Sequence, residues 1–165
     1  MALAEQIGKD GQHLLLSIAQ SEVATVLEQA PAIVMLRQIW EQQYDLESCP
    51  IQWRPTEKLP PSAERIASPH DPEARYSTKR SVTWVGYKVH LTETCDEVSP
   101  HLITHVETAP ATEGDSSALP RIHEALAKRE LLPSEHIVDT TYGSADLRHA
   151  SQAEYGVTLV CKVAS

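Results

Sequence analysis

Phenylalanine is absent from the 165 residues, so Leu, Ile, Val, Tyr and three Trp must fill any interior. No run approaches the ~18 consecutive apolar residues that suggest a membrane-spanning helix. The first residues lack a basic region followed by an apolar core, so they do not read as a secretory signal. Cysteine is scarce as well. Cys49, Cys95 and Cys161 are odd in number, far apart and in no metal-type pairing, which argues against a disulfide framework and for reduced thiols in a cytoplasm. Basic residues are in the minority, with 14 Lys and Arg against 23 Asp and Glu and a formal net charge of −9. That balance argues against a stand-alone nucleic-acid binder, because such binding is driven by counterion release at Lys and Arg. Phosphate-cradling glycine loops and nucleophile-elbow motifs are missing too.

What remains is one domain's worth of chain with enough apolar residues, 41%, for a core. Residues 1–48 read as a helical segment. Leu3, Ile7, Leu14, Leu15 and Ile18 line one face, interrupted by Gly8 and Gly11, with Ser17 and Ser21 as break points. The best helix is Pro31 to Tyr44, carrying Ile33, Leu36, Trp40 and Tyr44 on one stripe. Residues 49–80 hold Pro50, Pro55, Pro60, Pro61, Pro69 and Pro72 and read as a connector, with Ile51-Gln52-Trp53 its only strand-like piece.

From residue 81 to 165 the pattern is regular. Thr83 to Thr94 alternates, with Val85, Tyr87, Val89 and Leu91 on one face and Lys88, His90 and Thr92 on the other. His101 to Thr108 alternates again, predicting an antiparallel hairpin. A helix follows to about Arg129, capped by Ser116 or Ser117 because Pro120 is tolerated only in a first turn. Strand His136–Asp139, helix Ser144–Tyr155 stopped by Gly156, and strand Val157–Cys161 complete the order β-β-α-β-α-β. The expectation is an α/β (α+β) chain with a mixed sheet flanked by helices.

One carboxylate stands out. Asp139 ends an apolar strand just before a helix, where an ionised group must be compensated by water, donors or a cation. It reads either as a turn former or as a metal ligand. Lys79 and Arg80, with Arg75 and Lys88 nearby, form a local basic patch that is either a solvated loop or a nucleic-acid contact. A zinc site at His90, His101 and His105 lacks any partner of ligand spacing.

Several ordered motifs carry a resemblance. Trp84-Val-Gly-Tyr-Lys-Val-His-Leu91, with Gly86, Tyr87 and Lys88 at its centre, is followed by a Thr-Ala-Pro-Ala-Thr run leading to Asp115. Val138-Asp139 with Tyr142 comes next, and Asp71-Pro-Glu-Ala-Arg75 and Lys79 precede the set. Over residues 65–163 this resembles the DDE transposases of bacterial insertion sequences, and the helical start resembles an insert some members carry. The resemblance implies an RNase H-like fold and three carboxylates holding two divalent cations, Mg²⁺ or Mn²⁺, for phosphodiester cleavage and strand transfer. It makes Asp139 the second carboxylate and Tyr142 part of the same motif. Thr141 stands where the family has glycine, a departure expected to stiffen or misplace the turn.

Lys88, Lys79 and Arg80 become candidate contacts to transposon-end DNA, and the setting becomes a bacterial cytoplasm. The family's first Asp lies upstream of the helical insert and its Glu beyond the last strand. Neither falls within these residues, and Asp71 and Asp115 read as turn and helix-cap residues. The expectation is therefore an incomplete RNase H-like core, inactive alone. It would lack a central strand beside the hairpin and the Asp139 strand, and would tend to oligomerise. The alternative is a non-catalytic module that associates with full-length transposase or with DNA ends.

Overall fold

The computed structural model describes residues 2–161, and the chain packs as two units, residues 1–86 and 87–165. It mixes α and β. In the first unit, α1 (Ala2–Ala19), α2 (Ala24–Leu27) and α3 (Pro31–Gln43) lead into β1 (Tyr44–Asp45), which pairs antiparallel with β2 (Gln52–Trp53). Gly8 and Gly11 do not interrupt α1; they let it approach α3. A Cβ on Gly11 would lie 2.1 Å from the Trp40 indole, and one on Gly8 2.4 Å from the Tyr44 ring. The contact is fixed by two hydrogen bonds. Trp40 Nε1 donates to the Gly8 carbonyl at 3.2 Å and Tyr44 Oη to the Ala4 carbonyl at 2.9 Å. Tyr44 also stacks on Trp40 and meets Trp53 edge-on, so an aromatic cluster serves where no Phe exists.

The Pro-rich stretch holds more strand than its composition predicts. The proline-free residues Arg75–Lys79 form β3, paired antiparallel with the first half of β4 (Val82–Glu93) through a tight turn at Arg80 and Ser81. Arg80 adopts a left-handed conformation there, with φ +56°. Gly86 ends this pairing at φ +147°, a backbone conformation side chains rarely adopt, although nothing crowds its Cβ direction. We therefore expect Gly86→Ala to cost about 1 kcal/mol through backbone strain alone. Urea unfolding would check this; an unchanged midpoint would refute it.

In the second unit, the rest of β4 pairs antiparallel with β5 (Ile103–Pro110), Leu91 facing Val106 and Val89 facing Thr108. Then come α4 (Leu119–Lys128), β6 (Glu135–Val138), α5 (Ala145–Tyr155) and β7 (Thr158–Cys161), the expected order. Ser144 caps α5 by accepting from Leu147 N, and Gly156 closes it in the left-handed conformation, φ 69°. At α4 the capping expectation fails. A 3₁₀ turn over Asp115–Ala118 runs straight into the helix, Ala118 occupies the cap position, and Ser117 instead bonds Glu113 and the Gly114 carbonyl.

Two further differences concern the sheet. β6 and β7 pair in parallel as a sheet of their own, so the hairpin and the βαβ unit are not joined into one mixed sheet. The alternation of β4 is as expected, but its sides are not those hydrophobicity favours. Lys88, His90 and Thr92 are the sheltered residues, whereas Val89 and Leu91 are 60% and 61% exposed. The core lies elsewhere: Leu119, Val157 and Leu159 gather Val138, Tyr142 and Leu147, beside a second group of Ala118, Ile122 and Leu126.

Candidate active site

Sheltering the polar side of β4 gives the second unit its chemistry. Lys88 and His90, two residues apart, project to the same side of the strand. Lys88 Nζ donates to Asp115 Oδ1 at 2.9 Å and to the Glu113 carbonyl at 2.6 Å. The turn before α4 is thereby pinned to the strand, so Asp115 is an ion-pair partner rather than a helix cap. Arg121 on α4 extends the network, bonding Glu107 Oε1 at 2.6 Å and Glu113 Oε1 at 2.7 Å. Hydrogen bonding from Arg121 holds the Glu107 carboxyl below its ordinary range; Ser117, and after it Arg121, do the same for Glu113.

His90 reaches the far motif. Its Nδ1 lies 2.6 Å from Tyr142 Oη, and the two rings meet edge-on at 87°. Burial pushes the Tyr142 phenol up, and the negative charges of Asp115 and Asp139 push it in the same direction. The phenol therefore keeps its proton at neutral pH. It can donate to Nδ1, which places the imidazole proton on Nε2. That Nε2 is buried and has no hydrogen-bond partner among the described residues. Asp139 itself is exposed at the end of β6. Its carbonyl accepts from Tyr142 N at 3.0 Å, closing a 3₁₀ turn over Thr140–Tyr142, while its carboxylate makes no cap bond. Thr141 sits exposed in that turn and is not among the described residues with positive φ. Glycine is needed two positions later, where a Cβ on Gly143 would lie 2.5 Å from Cys161 Sγ.

Comparison with family models, curated proteins and solved structures finds no match. The site therefore stands on its geometry. Lys88, His90, Asp115 and Tyr142 come together, with Asp139 close enough for its charge to act on the Tyr142 phenol. Gly86 and Tyr87 mark the point where pairing passes from β3 to β5. Lys79 and Arg80 stand exposed at the β3–β4 turn of the first unit. Lys88 is spent on an internal ion pair, so its availability to DNA is reduced. Among the described residues no three His, Cys, Asp or Glu side chains are arranged to hold a metal. His105 contacts Glu107 at 3.3 Å.

Sequence reasoning missed a second polar cluster. His123 on α4 is 1% exposed, with Nε2 3.1 Å from His136 Nδ1 on β6 and its ring 5.5 Å from that of Tyr155. Burial, and then the neighbouring His136, push His123 down to about 4, and burial also lowers His136. The signal was present: His123 follows Ile122 and stands four residues from Leu119, within the apolar stripe of α4.

Proposed function

We propose that this chain is a segment of the RNase H-like catalytic core of a DDE transposase, with Asp139 one of the carboxylates of its metal site. The observation that carries the reading is the bond between His90 and Tyr142, 52 residues apart. It joins the Gly-Tyr-Lys strand to the Asp139 turn, two motifs that the resemblance had linked only by order. A divalent pair, Mg²⁺ or Mn²⁺, would supply the activation of water or of a 3′-hydroxyl in such an enzyme. The donors described here do not suffice for it. Asp115 is neutralised by Lys88, Glu107 and Glu113 are bound by Arg121, and Asp139 alone keeps an uncommitted carboxylate in this network.

The chain is accordingly inactive by itself. Purified protein with supercoiled plasmid and Mg²⁺ or Mn²⁺ is expected to give no nicked product above a metal-only control; metal-dependent nicking lost in Asp139→Asn would overturn the inactivity. The transposase reading is tested by the DNA flanking the reading frame. It should encode the missing Asp strand and Glu helix, intact or decayed, between inverted repeats, and it fails if neither is found in any frame. The second reading is a non-catalytic module that binds full-length transposase, DNA ends or a second copy of itself, with no membrane partner. It is favoured by the open strand edges of the second unit. No helix among the described residues is long and apolar enough to cross a membrane.

A further inference from the structure

We draw no further inference here: the strongest candidate, the side-chain cluster of His123 on α4 and His136 on β6, carries nothing because its two facing ring nitrogens, 3.1 Å apart, satisfy one another and no third His, Cys, Asp or Glu among the described residues joins them to hold a metal.

Discussion

Between pH 6.5 and about pH 4 the unit containing His123 is expected to lose on the order of 3 kcal/mol of folding free energy from that residue alone. Its imidazole is 1% exposed and lies against the rings of His136 and Tyr155, so the folded state holds it neutral. The unfolded chain takes up the proton near 6.5 and the folded chain only near 4. Acid therefore favours unfolding: stability from this group is complete above 6.5, falls through the interval and levels off below 4. His136, lowered in the same direction by burial, adds to the loss with the same sign. Denaturant unfolding followed at several pH values would measure it. His123→Leu should flatten the profile over that interval, the carboxylates and other histidines being common to both proteins. An equally steep profile in the variant would assign the acid sensitivity elsewhere.

Gly11→Ala is expected to destabilise the first unit by about 1 kcal/mol net, against the sign that helix propensity gives. Alanine in a helix interior is favoured over glycine by roughly 1 kcal/mol. Here the added methyl would sit 2.1 Å from an indole that cannot easily yield, because Nε1 is bonded to the Gly8 carbonyl and the ring is stacked on Tyr44. Overpacking against a held ring costs about 1–3 kcal/mol and sometimes more, which outweighs the propensity gain. Trp fluorescence during thermal unfolding would report the change where it arises. A raised midpoint would mean that α1 and α3 separate freely.

The parts of this fold that were legible in the sequence are those set by local rules. α5 begins at the Ser144 cap and ends at Gly156, and β4, with β5 from His105 onward, alternates with a period of two. Choices made by packing were hidden. Alternation located the two faces of β4 but not the one that packs, and hydrophobicity pointed the wrong way because the polar side is enclosed by the Lys88 and His90 bonds. Gly8 and Gly11 read as helix breakers because the rings that need their space come from α3 and β1. β3 was concealed by the prolines before it, since only pairing with β4 makes Arg75–Lys79 a strand. At the site, Asp139 and Tyr142 were visible as a motif, whereas the 52-residue link to His90 is a property of the folded chain.

The passage of β4 through Gly86 bears on how the chain can be taken apart. Its first half is laddered to β3 and its second half to β5, so packing changes hands in mid-strand. Cutting there to isolate either half would sever a continuous extended segment and leave a frayed end on both products. It would nonetheless keep both hydrogen-bond ladders whole, whereas assigning all of Val82–Glu93 to one piece would cost the other its pairing partner. The boundary of tight packing is thus also the place where the ladders divide, and the covalent strand is what crosses it.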